Sequence, residues 1–230
     1  MPDNAFYLMQ NVHFCDVDGT IVFLDANRNR YSSLTKVQSG WFRALQCGEE
    51  STETLGLAIR LQQRGLLTAD KVNGKPIAPG QHSRTTSSLS DKALSSNKEV
   101  VLEDVTHFLW ALMSTWLLWR TQRLKINTVL RVSQRWTTSN GSSADHADDR
   151  LARAVSAFKQ LSVFFITTHD QCLFRSLLLV RFLALKNLHA ELVFGVRTAP
   201  FQAHCWVESR GCALNEFYDA THEFTKILSL

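Results

Sequence analysis

From residue 172 the sequence runs CLFRSLLLVRFLALKNL, and three short apolar segments follow: AELVFGV at 190–196, AHCWVE at 203–208 and CALNE at 212–216. The first run is long and apolar on nearly every side, the pattern of a helix buried in a core. The others have the length and composition of strands, and Ser209-Arg210-Gly211 supplies a turn between the last two. A buried helix set against such strands implies an α+β unit.

The start of that helix carries chemistry. Thr168 or Asp170, in ITTHDQ at 166–171, is a candidate N-cap, which places Cys172 in the first helical turn. The unpaired N–H groups and positive dipole end there favour thiolate over thiol, and the thiolate is the nucleophile. A hairpin symmetric about Arg210 sets His204 opposite Glu216 on one face, close enough for a carboxylate to hold the imidazole in one tautomer. Glu208 shares that face by alternation and is a rival for this role. A register one residue away pairs His204 with Phe217 instead. Cys172, His204 and Glu216 are therefore the candidate catalytic residues, with the Cys172 N–H, and Gln171 beside it, as oxyanion donors.

Composition narrows the rest. A net charge of +4 without a dense Lys/Arg run argues against nucleic acid as a partner. Five cysteines, an odd number, with no N-terminal signal pattern, suit a reducing cytoplasm. No close Cys pair suggests a metal site. The apolar segment FLWALMSTWLLW at 108–119 is too short for a membrane span and reads as a buried helix, with Trp110, Met113, Trp116 and Leu117 at helical spacing.

The front of the chain, 1–72, has its own pattern. Asp18-Gly19 between apolar runs predicts a hairpin, and a strand over 30–34 follows the turn DANRN. Thr35 caps an expected helix ending near Cys47-Gly48, and a second helix spans about 52–64 before Gly65. This is a winged-helix-like module. Residues 73–98, rich in Ser, Gly, Pro and Lys, read as a flexible linker to a second domain over 99–230. The polar stretch 137–149 reads as a loop within that domain. A different motif, Asp16-Val17-Asp18-Gly19-Thr20, is similar to the nucleophile loop of haloacid-dehalogenase-type phosphatases. That chemistry needs a buried parallel strand before the loop, and QNVHFC at 10–15 is too polar for one.

Two resemblances follow from these residues. DGTIVFLDANRNRYSSL, SGWFRAL and LAIRLQQRGLL resemble the PqqD-like recognition element of ribosomal-peptide biosynthesis. That implies binding of a precursor's leader peptide as an added strand, with Tyr31 and Ser33 on the edge and Leu57 and Leu61 beside it. DQCL, AELVFGVRTAPFQAHCWVE and ALNE resemble the leader peptidases of lasso-peptide biosynthesis, whose fold is transglutaminase-like and papain-related. In that family Asp usually stands where this chain has Glu216, and a small residue stands at Cys205. Alternation points Cys205 away from His204, so it is not taken as the nucleophile. The resemblance implies a cysteine protease that removes the leader before an asparagine-synthetase-like partner closes a lactam. It also implies an ATP dependence; this chain has no phosphate-binding loop, so ATP would act through the partner and no cofactor is expected here. A leader-binding scaffold without activity is the alternative.

Overall fold

The computed structural model describes residues 6–80, 85–89, 99–122, 131–132, 147–163 and 172–230. Strands β2 (Val12–Val17) and β3 (Thr20–Asp25) form a hairpin in which Val17 pairs with Thr20. Its two-residue turn places Asp18 and Gly19 at φ 49° and 82°, the primed turn that matches strand twist. Asp25 then accepts the N–H groups of Asn27 and Arg28, closing the turn into β4 (Arg30–Ser33). Two helices follow, α1 (Lys36–Gln46) and α2 (Thr52–Gln63). Each opens with a reciprocal capping box, Thr35 with Gln38 and Ser51 with Thr54. Each is followed by a glycine at positive φ, Gly48 and Gly65. A second small sheet orders β5 (Leu67–Thr68), β1 (Tyr7–Met9) and β6 (Gly74–Lys75).

In the second half, β7 (Ser87–Ser88) precedes α3 (Leu102–Gln122), α4 (Ala147–Ser162) and α5 (Cys172–Leu185). Then come β8 (Glu191–Thr198), β9 (Phe201–Ser209), β10 (Cys212–Ala213), a one-turn α6 (Tyr218–Thr221) and β11 (Thr225–Ser229). The sheet order is β11-β8-β9-β10-β7, with α5 packed on β8 and β9 and with α3 and α4 against α5. The architecture is thus mixed α and β, as expected.

The separate front domain expected from composition gives way to a shared core. Along β2 and β3, Phe14, Ile21 and Phe23 pack with Phe42, Leu57 and Leu61 under α1 and α2. The alternate residues Cys15, Val17, Val22 and Leu24 lie in one cluster with Leu177, Phe182, Phe194 and Cys205 of the other half. The front sheet is therefore buried on both faces, and β2 lies against β11. A fragment ending at residue 72 would bare one of those faces to water.

Three further expectations are corrected. Leu57 and Leu61 are core residues, 2% and 1% exposed, and line no open groove. The segment 73–98 is not a uniform exposed linker: Gly74 and Lys75 pair with β1, Ile77 joins the front core, and Ser87-Ser88 pairs in parallel with β10. Helix α3 turns Asp104, Phe108, Ala111 and Thr115 inward. This one-sided seam leaves Trp110, Met113, Trp116 and Leu117 about half exposed rather than buried. Of the stretch 137–149, residues 147–149 open α4; the remainder lies outside the described residues, as do Thr168, Asp170 and Gln171.

Asp16, on β2, and Asp18, in the turn after it, belong to an antiparallel hairpin and do not follow a parallel strand. Asp16 accepts the Gly19 N–H and forms an ion pair with Arg43 at 2.8 Å. Neither the topology nor the occupied carboxylate suits a phosphatase nucleophile.

Candidate active site

Cys172 is the first residue of α5, and the fold brings β9 to it. Hydrogen bonds from the Cys205 side chain, from His204 and from the Cys205 backbone N–H favour its thiolate. Together they outweigh the penalty of partial burial and hold the Cys172 thiol at about 4. His204 responds in the opposite direction. Burial disfavours its charge, but hydrogen bonds to Cys172 and to Glu216 prevail and raise it to about 9. At neutral pH the site is a thiolate–imidazolium pair. The hydrogen bond to Cys172 and full burial push Cys205 well above the usual thiol range, so it stays a neutral donor. Its supporting place beside Cys172 is invisible to strand alternation alone.

Glu216 lies beside the ring, with its Oε1 3.5 Å from His204 Nε2. The route by which Glu216 arrives differs from the symmetric hairpin. The turn has two residues, Arg210 and Gly211 at φ 50° and 76°, and pairs Ser209 with Cys212 and Glu208 with Ala213. Continued regularly, that register would set His204 opposite Phe217. Asn215 ends the ladder first: its Oδ1 takes the Val207 N–H at 2.8 Å, and its Nδ2 donates to Ser176 Oγ on α5 at 3.0 Å. Ser176 in turn donates to the Cys205 carbonyl. Leaving the sheet after Leu214, the chain delivers Glu216 to His204, and Ser88 Oγ donates to the Glu216 carbonyl at 2.5 Å. Asn215 and Ser176 are the polar residues inside two apolar runs, and that was the signal available for them.

Glu208 has a different occupation from the orienting role considered for it. Oε1 accepts from Trp206 Nε1 at 2.7 Å and from Thr85 Oγ1 at 2.5 Å, while Oε2 accepts from Lys226 at 2.6 Å. Trp206 stacks on the His204 ring, centroids 6.0 Å apart, and Phe224 meets the same ring at 5.6 Å. Glu208 thus fixes the tryptophan that backs the imidazole.

Gly195 pairs with His204 across β8 and β9. A Cβ there would stand 2.6 Å from the Trp206 ring and 2.9 Å from Phe224 Cβ. Gly195→Ala is expected to destabilise the protein by about 1–3 kcal/mol through this overpacking. Urea unfolding followed by tryptophan fluorescence checks it; an unchanged midpoint would mean that the ring has room to move.

Of the residues expected at a leader site, Ser33 is exposed, and β4 is an edge strand with β3 as its one strand neighbour among the described residues. Tyr31 is half-buried against the catalytic core. Among the described residues, no group of three or more His, Cys, Asp or Glu side chains is arranged to hold a metal ion, and no helix is long and apolar enough to cross a membrane.

Comparison with known proteins fits this geometry. Over 63 residues the chain is 41% identical to the microcin J25-processing protein McjB of Escherichia coli, a match covering 25% of this chain and 30% of that protein. The match therefore spans less than a third of the relative's own length. No solved structure matches the chain. The family model of the transglutaminase-like superfamily matches residues 108–229, more than half of the chain and inclusive of Cys172, His204 and Glu216. This chain belongs to the transglutaminase-like superfamily.

Proposed function

We propose that this protein is a cysteine protease that removes the leader from a ribosomally made lasso-peptide precursor. The observation that carries the reading is the convergence of Cys172, first residue of α5, with His204, itself paired with Glu216 at 3.5 Å. The partial likeness to a microcin-processing protein supports the substrate class. In this mechanism the thiolate attacks the scissile carbonyl, and the Cys172 N–H at the start of α5 donates to the developing oxyanion. The imidazolium gives its proton to the leaving amine and then takes one from the water that hydrolyses the acyl-enzyme. The outer edge of β4, unpaired among the described residues, is the place for the leader to add as a strand, in the manner of PqqD-like modules. The new N-terminus would pass to an asparagine-synthetase-like lactam synthetase, where any ATP requirement belongs.

Glu216 separates this mechanism from a site that only looks catalytic. Glu216→Ala is expected to lower kcat about 10²–10⁴-fold while leaving the unfolding midpoint nearly unchanged, since the carboxylate orients the base and does no bond-making. Glu216→Asp restores the residue usual in lasso leader peptidases and should keep more activity than alanine. Cleavage of a leader–core precursor, followed by mass spectrometry, measures both. Full activity in Glu216→Ala would remove Glu216 from the mechanism.

A further inference from the structure

Tyr31 belongs to the front sheet but faces the catalytic half. Its cross-strand partner is Leu24, and opposed residues share a face. Leu24 lies in the cluster that contains Cys205 and Phe174, and both Tyr31 and Cys172 pack against that cluster. On β9, residues two apart share a face, so Phe201, Ala203 and Cys205 form one row. The Cys205 end of the row lies in the cluster against which Cys172 packs. The Phe201 end meets Tyr31, with ring centroids 5.9 Å apart and planes tilted by 59°. Between the two ends Ala203 is exposed and presents only a methyl group. Phe201 is itself 49% exposed, a large apolar surface on the strand face that also carries Cys205. Burial pushes the Tyr31 phenol well above its ordinary value, with the thiols of Cys205, Cys172 and Cys15 adding to the effect, so the ring stays neutral.

We infer that Tyr31, Ala203 and Phe201 form an apolar subsite beside Cys172 that receives a non-polar side chain of the peptide substrate. The inference rests on the cysteine-protease reading and names a specificity element within it. Two aromatic rings in contact and the neighbouring methyl make one apolar surface that suits an aliphatic or aromatic group, whose burial is the main source of affinity on such a surface. One ring comes from β4, the strand proposed to receive the leader. A leader seated on that edge therefore runs past the subsite, and recognition and cleavage share a residue.

The test uses the full-length chain and two electrophiles of equal reactivity, 2-chloroacetamide and N-benzyl-2-chloroacetamide. Labelling of Cys172 is followed by peptide-mapping mass spectrometry. The benzyl reagent is expected to label Cys172 about tenfold faster or more. Tyr31→Ala and Phe201→Ala should each cut that ratio at least about threefold. The ratio cancels any change in thiolate reactivity common to both reagents. Phe201 is exposed, so its variant is informative even where Tyr31→Ala fails to fold. Equal rates in the parent protein, or an unmoved ratio in Phe201→Ala, overturns the subsite. Resistance of Cys172 to both reagents is a distinct result: it overturns the protease reading, and the subsite with it.

Discussion

Cys172→Ala should abolish leader cleavage, a fall of at least about 10⁴-fold, because no other group among the described residues combines a thiolate at neutral pH with an imidazolium proton donor. The other cysteines grade the effect. Cys205→Ala removes a donor to the Cys172 sulfur and should cost roughly tenfold while leaving the nucleophile in place. Cys212 lies on the short β10, where its thiol meets the Ala213 carbonyl at 3.8 Å, and its alanine variant should retain activity. Mass spectrometry of a precursor digest ranks the three. Full cleavage by the Cys172 variant would contradict the mechanism at its first step.

The second large effect falls on stability. Glu208 and Lys226 form an ion pair at 2.6 Å with side chains 4% and 9% exposed. Glu208→Ala leaves a buried ammonium without its partner, strands the Trp206 indole N–H, and is expected to cost about 3–5 kcal/mol. Activity should fall as well, through loss of the ring that stacks on His204. Lys226→Met in the same chain should recover a good part of the stability, since removing both charges also removes the unpaired one. Urea unfolding of the parent, the single and the double variant measures this. A cost below about 1 kcal/mol for Glu208→Ala would mean that water reaches Lys226 freely.

These two carboxylates show where sequence reasoning reached and where it stopped. His204, Glu208 and Glu216 were all visible as candidates. Their division of labour was not, because it depends on where a hairpin ends. The two-residue turn at Arg210-Gly211 moves the register by one, and Asn215 then ends the ladder with its own side chain. Glu216 thus reaches His204 by leaving the strand, a tertiary event paid for in hydrogen bonds with Ser176 on a distant helix.

Local chemistry was more legible. Asp18-Gly19 demanded a hairpin, and Thr35 demanded a helix start, because each acts within four residues of itself. The shared core was missed although its signal was present. In TIVFLD of β3, five of six residues are buried, a near-continuous apolar run that marks burial on both faces. Reading that run as a one-faced hairpin produced a free-standing front domain. The outward stripe of α3 failed for the converse reason: periodicity marks an apolar face without saying what covers it.

The proposed mechanism requires Cys172 to be a thiolate at neutral pH. Iodoacetamide labelling of the full-length chain, resolved by cysteine and measured from pH 4 to 9, tests it directly. With the thiol held at about 4, the Cys172 rate should already be near its plateau by pH 6 and fall only as acid approaches that value. Hydrolysis of the precursor should share this acid limb and also decline above about pH 9, where His204 loses the proton it donates. A Cys172 rate that climbs about tenfold per pH unit through pH 6–8, as an ordinary thiol with a value near 8.5 would, contradicts the ion pair and the mechanism built on it.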